Sequence, residues 1–279
     1  MTIGLKDALA RFATHRLALA ALIFLCVATS LSLAAPLLFD HDAFAMIGEP
    51  FIWPGTDRRF PLGTDMFGRD ILAGLVYGAR VSLAIGAAAA LLSSMIGIVI
   101  GLLAGYFGSW VDAVLMRITE LFQTVPSIIF VITIVVVLQP SIMSVLLAIG
   151  LTSWPQTARL IRAEALKLRN SEFVAAAFTL GFSSPRILIG HILPNAVSPA
   201  IVTGTILAGT AILTESALAF LGLTDPNIMS WGSMIGAGRQ VLRTAWYITA
   251  IPGLAIVFTV LAISAVGEGL NHVFNKTAT

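Results

Sequence analysis

From Leu17 to Phe39 the chain runs for about 23 residues without a charged side chain. At about 1.5 Å per residue, a helix of that length crosses a hydrocarbon core of about 30 Å. The apolar part of a cleaved leader is shorter, about 7–15 residues, so an uncleaved first span is expected over residues 17–39. Five further apolar runs follow at about 81–107, 113–138, 141–163, 197–222 and 246–270. Only 11% of the 279 residues are charged, against about 25% in a soluble domain, and the mean hydropathy is +0.96. The expected class is an all-α polytopic membrane protein with six transmembrane helices. A formal charge of +2 makes no case for nucleic acid. Cys26 is alone, which excludes an internal disulfide, and its apolar setting reads as a buried structural thiol.

The polar segments divide the chain. Residues 1–16 are a short basic lead, expected in the cytosol, ahead of the span at 17–39. Residues 40–78 are a long loop expected outside, rich in turn formers and ending in an interfacial helix from about Asp70 to Tyr77. Asp65 and Asp70 read as turn and helix-capping residues in it. Residues 79–279 hold the other five spans, with a cytosolic loop at 164–195. On the second span Gly97, Gly101 and Gly105 recur every four residues, which strips one helix face and lets another backbone approach. Residues 108–112 read as a tight turn.

The third span is unusual in carrying charge. Arg117, Glu120, Thr124 and Ser127 fall at i, i+3, i+7 and i+10 on one face, with Gln123 beside them. Polar groups at membrane depth face protein or a water-filled cavity. Two readings follow: an Arg117–Glu120 pair near the interface, or a lining of a translocation pathway. Trp154-Pro155 marks an expected kink in the fourth span, near the inner surface. The fifth span adds Thr203, Thr210 and Thr214 near one face, with Glu215 toward its outer end.

Basic residues orient the spans. With the N-terminus inside, Lys6, Arg11, Arg16, Arg117, Arg159, Arg162, Lys167, Arg169, Arg186 and Lys276 are cytosolic, against Arg58, Arg59, Arg69, Arg80, Arg239 and Arg243 outside. Six spans then return both termini to the cytosol. That orientation also puts the polar interruption from Arg159 to Asn195 in the cytosol. Two short helices are legible there. Asn170 and Ser171 can cap the first, Phe173, Val174, Ala176, Ala177 and Leu180 give it an apolar stripe, and Gly181 suits a left-handed stop. Ser184-Pro185 starts the second, and Leu193-Pro194 is expected to end it.

This interruption resembles a known pattern. Ala175-Ala176-Ala177, three residues, Gly181, nine residues and then His191-Ile192-Leu193-Pro194 look like the E-A-A-x3-G-x9-I-x-L-P loop of ABC-importer permease subunits. The ending through Asn195 is similar to the dipeptide/oligopeptide/nickel branch, as are Pro61-Leu62-Gly63-Thr64-Asp65, Gly68-Arg69-Asp70, Tyr77-Gly78-Ala79-Arg80 and Ser230-Trp231-Gly232-Ser233-Met234. Ala175 stands in place of the motif's glutamate, and His191 in place of its isoleucine. The resemblance implies a permease subunit in a bacterial inner (plasma) membrane, surrounded by lipid. It would pair with a second homologous permease, two cytosolic ATP-binding subunits and an extracytoplasmic substrate-binding protein. The loop that couples to the ATPases would use Glu172, Ala175, Ala176, Ala177, Gly181, His191, Leu193 and Pro194. The pathway would be lined by Glu120, Gln123, Thr124, Ser127, Thr210 and Thr214.

No bond chemistry is expected of the chain itself, and neither cofactor nor metal. It has no G-x-x-x-x-G-K-[ST] to cradle a nucleotide phosphate, no H-E-x-x-H and no G-x-S-x-G. The four histidines are scattered, and His191 reads as a packing or capping residue. Two alternatives stay open: an importer of nickel or another non-peptide solute, and a self-sufficient channel or ion-coupled transporter. The second would need intramembrane acids or broken helices in paired repeats.

Overall fold

Small residues decide how the helices meet. The computed structural model describes residues 11–274. Its long helices are α1 (Arg16–Leu38), α2 (Ile71–Phe107), α5 (Ile142–Arg169), α8 (Leu193–Phe220) and α10 (Tyr247–Phe274). Shorter ones are α3 (Ser109–Thr124), α4 (Ser127–Leu138), α6 (Glu172–Thr179), α7 (Ser184–Ile187) and α9 (Trp231–Gly238). No strand occurs among the described residues. α2 and α5 form the central pair. A Cβ built on Gly97 would lie 2.6 Å from Thr157 Cβ, one on Gly101 2.8 Å from Ile161 Cβ, and one on Gly105 2.6 Å from Ala165 Cβ. Gly97, Gly101 and Gly105 thus meet Thr157, Ile161 and Ala165 in the same order, so the two helices run parallel. A spacing of four on both helices keeps the bare face of one against a single stripe of the other.

α4 packs Val131 and Val135 on the first half of α5, against Val145, Ala148 and Ile149. α9 and α10 cover the start of α2 through Ile71, Ala79, Trp231, Tyr247 and Ile248. α9 is pinned by polar groups: Ser230 caps it in a reciprocal box with Ser233, Trp231 N donates to Ser82 Oγ at 3.2 Å, and Trp231 Nε1 donates to the Leu75 carbonyl at 2.8 Å. Ser230 Oγ also donates at 2.6 Å to Glu215, a carboxyl only 1% exposed on α8. These contacts satisfy polar groups that would otherwise be costly to bury.

The 39–70 loop is held by side chains reaching its own backbone. Asp70 is the N-cap of α2 and accepts from Leu72 N at 2.9 Å; Asp65 accepts from Phe67 N and Arg69 N. Both acids therefore do the turn and capping work that their sequence context suggests. Burial pushes the Asp70 carboxyl up, against the pull of the Leu72 and Ala73 N–H groups. Thr64 Oγ1 accepts from Ile52 N and donates to the Glu49 carbonyl, and Tyr247 OH lies 3.0 Å from the Ile52 carbonyl. The start of α10 is thereby tied to the loop.

Several expectations are corrected. The interfacial helix near 70–77 and the second span are one helix, because Asp70 caps it and no breaker follows before Gly108. The third span is not continuous: α3 and α4 meet at 87° across Val125-Pro126. Pro126 lacks an N–H and crowds the carbonyl four residues back, so the helix stops there. Ser127 therefore leaves the face of Arg117, Glu120 and Thr124. Leu193-Pro194 does not end a helix. A π-helical turn over Leu188–Ile192 widens the backbone, Leu193 N donates to the Leu188 carbonyl, and α8 continues to Phe220. The wide turn removes the clash that Pro194 would make in a regular helix. Cys26 is exposed, not buried. α1 is apolar all round, so hydropathy could not choose its inner side, and only Ala18, Ala21, Ser32 and Ala35 are buried along it.

Four helical segments are by length and composition long enough and apolar enough to cross a membrane: α1, α2, Ser184–Phe220 and α10. The bent pair α3–α4, taken together, makes a fifth. α5 carries Arg159, Arg162, Glu164, Lys167 and Arg169 in its last eleven residues, which shortens its apolar part. The lead is described only from residue 11, so Lys6, like Lys276, lies outside the described residues.

The glycine seam makes a stability prediction. Gly101→Leu should overpack α2 against α5 and cost about 1–3 kcal/mol. Gly253→Ala, where a Cβ meets nothing within 4 Å, should be neutral. Thermal unfolding of the detergent-purified chain reads both; equal midpoints would show that α2 and α5 do not depend on this seam.

Candidate functional site

The surface built by α6, α7 and the π turn is the best-formed candidate. α6 starts at Ser171, yet the Ser171 hydroxyl does not cap it; it donates back to the Leu168 carbonyl. This corrects the expected cap. Val174 and Ala177 turn inward and join Leu102 and Tyr106 of α2, Ile161 and Ala165 of α5, and Ile187, Ile192, Ala196 and Ala200. Ala177 is thus a seat residue. Glu172, Ala175 and Ala176 are exposed, on the outward side. With them stand Phe178 at 70% and Leu180 at 73% exposure, two large apolar residues facing away from the core.

The end of α6 is a Schellman turn. Gly181 has φ +77°, Gly181 N donates to the Phe178 carbonyl and Phe182 N to the Ala177 carbonyl. A Cβ on Gly181 would meet nothing within 4 Å, so its conformation alone favours glycine. Phe182 then stacks on His191 with centroids 5.8 Å apart and planes at 17°, and the Arg186 guanidinium lies 4.3 Å from the Phe182 centroid. Asn195 Nδ2 donates to the His191 carbonyl at 2.7 Å. His191 is therefore a packing residue of the turn. Leu193 is half-buried against the cluster and Pro194 is exposed. Beside α6 runs a groove of about 430 Å³, lined by Tyr106, Phe107, Arg169, Val174, Ala175, Phe178 and Ser184.

One contact at this end escapes sequence reasoning. Arg162 on α5 grips Asp112 in the first turn of α3, Nε to Oδ1 at 2.5 Å and Nη2 to Oδ2 at 2.6 Å. Its forked geometry fixes direction as well as distance, and Asp112 also sits well on the N-terminal end of α3. In the sequence Asp112 looks like a turn residue and Arg162 like an orientation charge. The available signal was an acid just after the end of α2 and an arginine of the opposite sign on α5.

The second candidate set is dispersed. Arg117 Nη1 and Glu120 Oε2 are 3.2 Å apart and both side chains are well exposed. Gln123, Thr124 and Ser127 are also exposed, the first two on α3 and the third beyond the bend. α3 packs against α2 and α5, whereas Thr210 and Thr214 ride on α8. The hydroxyls of Thr210 and Thr214 donate to the carbonyls of Ile206 and Thr210 in their own helix. Thr210 is exposed, Thr214 is half-buried and Thr203 is buried. A third feature is a cleft of about 320 Å³ between the 39–70 loop, α8 and α9, with Asp65, Arg69, Asp225 and Arg239 in its lining.

Comparisons with known proteins fit this architecture. The family model of the binding-protein-dependent transport system inner membrane component matches residues 97–279. The dipeptide transport system permease protein DppC of Alkalihalophilus pseudofirmus is 37% identical over 266 residues, covering 95% of this chain and 87% of that protein. The oligopeptide transport system permease protein OppC of Bacillus subtilis is 36% identical over 270 residues, with the same two coverages. The glutathione transport system permease protein GsiD of Pectobacterium atrosepticum is 34% identical over 261 residues, 93% of this chain and 87% of that one. Among solved structures, an inward-facing form of the MetNI methionine ABC transporter aligns with a TM-score of 0.60 at 17% identity, covering 74% of this chain and 98% of its own; this likeness concerns the fold. With a family model over most of its length and relatives above one-third identity, the chain belongs to the family of binding-protein-dependent transport system inner membrane components.

Proposed function

We propose that this chain is the permease subunit of an ATP-driven importer of peptides or related small solutes, and that α6 is the helix by which it answers its ATPases. The observation that carries the reading is the two-sidedness of α6. Its inner side is fixed on the α2–α5 seam by Val174 and Ala177, and its outer side offers Phe178 and Leu180 to solvent. Exposed large apolar residues on a helix held at a set angle suit docking into a cleft of another protein. The relatives named for dipeptides, oligopeptides and glutathione support a solute with peptide bonds. The proposed partners are a second homologous permease, two cytosolic ATP-binding subunits and an extracytoplasmic binding protein.

In the proposed arrangement both termini are cytosolic and the chain crosses six times: α1, α2, the bent pair α3–α4, α5, α8 and α10. The α6 surface then faces the ATPases and the 39–70 loop faces the binding protein. Glu120, Gln123, Thr124, Ser127, Thr210 and Thr214 are proposed to line the pathway. Gly97, Gly101 and Gly105 hold the frame that the pathway crosses.

Orientation is tested by single cysteines at Thr56 and Ser183 in a Cys26→Ala background. They should label from opposite sides of the membrane; labelling of both by an impermeant reagent from one side would overturn the arrangement.

Coupling is tested by three variants. Leu180→Asp should leave the folded subunit intact and abolish co-purification of the ATPases. Gly181→Val puts a β-branched residue at φ +77°, at a cost of about 1–2 kcal/mol, and should lower solute-stimulated ATP hydrolysis and uptake while the subunit stays inserted. Ala177→Asp should act differently, reducing the amount of folded protein because it buries an unpaired charge in the seat. Full uptake with bound ATPases in the first two variants would show that α6 is only a packed surface helix.

A further inference from the structure

The break between α3 and α4 sits at a definite depth. Phe122 contacts Trp154 of α5 with ring centroids 5.1 Å apart, and Phe130 with Phe122 at 5.5 Å brackets the bend. Trp154 lies twelve residues into α5, about 18 Å from its start at Ile142. Half of a hydrocarbon core is about 15 Å. Because α2 and α5 run parallel, the connection between them must traverse their whole length in the opposite direction. The α3–α4 pair is therefore a broken span rather than a loop that returns to its own side, and its break falls on the inner side of the middle, level with Trp154 and five residues before the first charge of α5 at Arg159.

Broken backbone at that depth needs partners. Pro126 supplies no N–H to the Phe122 carbonyl. The carbonyls of Gln123 and Thr124 and the N–H groups of Ser127 and Ile128 make no hydrogen bond among the described residues. Lipid cannot satisfy them; only protein or water can. All residues from Gln123 to Ile129 are exposed on this chain. The surface is mixed: Val125, Ile128 and Ile129 are apolar, while Gln123, Thr124 and Ser127 are polar, with the open Arg117–Glu120 pair about a turn below Thr124. The three polar side chains can hold water at the break, which an evenly apolar face such as that at Val136 and Val137 could not.

We infer that the α3–α4 break is a solute-contact site in the water-filled pathway, where free main-chain groups on both sides of Pro126 take up hydrogen bonds from an amide-bearing solute as it passes. This rests on the proposed permease role. Main-chain donors and acceptors match the peptide unit of a solute and are indifferent to its side chains, so the contact selects for peptide bonds rather than for sequence.

The test uses the assembled transporter in proteoliposomes, Cys26→Ala throughout, with single cysteines at Thr124, Ser127, Leu261 and Thr56 and a charged, water-soluble thiol reagent. Thr124→Cys and Ser127→Cys should react within about tenfold of the rate at the exposed loop position Thr56→Cys, and Leu261→Cys, on an apolar face halfway along α10, should not react. Unlabelled alanyl-alanine in excess should slow reaction at the two break positions at least threefold and leave Thr56→Cys unchanged. Pro126→Ala, which restores the missing N–H, should reduce dipeptide uptake at least fivefold with assembly retained. Unreactive break cysteines beside a reactive Thr56→Cys would mean that another subunit covers the break, and reactivity without protection by the dipeptide would mean that water but not solute reaches it; either result overturns the inference. Absence of uptake in the unmodified transporter would instead count against the importer reading, while the labelling pattern still decides where the break lies.

Discussion

The rest of the structure depends on the bare face of α2. Gly97, Gly101 and Gly105 bring its backbone close to α5, and the two helices then run side by side in the same direction. Close contact over three turns gives the pair dispersion and main-chain packing that larger side chains would prevent. Parallel neighbours also impose a topology. The segment that joins them has to return the full distance, which the bent α3–α4 pair does, and the forked Asp112–Arg162 pair fixes where that return begins. α6 sits on the same seam through Ala165 and Ile161, so the seat of the proposed docking helix is part of the central pair.

Much of this was legible in residue order, and the failures have identifiable causes. The glycine spacing marked the α2 seam because a period of four on a helix leaves one face, whatever its partner. Gly181 was readable as a left-handed stop because few other residues tolerate that conformation. Asp65 and Asp70 were readable as turn and cap residues from their place after glycine and before an apolar run. The whole-chain class followed from the low charge content and the lengths of the apolar runs.

The errors lie where local rules compete or fall silent. At Pro126 and Pro194 the same residue type gave opposite results. The first broke a span, because nothing around it widens the helix, and the second was absorbed by a π turn. The expected third span ran through Pro126, where a stop rule holds, and the expected loop helix stopped at Pro194, where it fails. Ala175, Ala176 and Ala177 are chemically alike, so only packing could show that the third faces inward. Cys26 was misplaced because an evenly apolar helix carries no periodicity to point at its buried side. The Asp112–Arg162 pair joins residues fifty positions apart, a distance at which charges in a sequence say nothing about each other.

The π turn has a mechanical consequence. By accommodating Pro194 it lets helix run from Ser184 to Phe220 without a stop, a rod of 37 residues and about 55 Å. One end of that rod carries Arg186 and the Phe182–His191 stack beside α6; near the other, Glu215 holds the Ser230 cap of α9. A rigid rod this long would act as a lever. If its lower end is displaced by a few ångströms about the middle, its upper end must swing a comparable distance the other way, taking α9 with it. The wide turn also places the least regular backbone of the rod close to the proposed docking helix α6, where slack would absorb small movements of that helix and pass on only large ones.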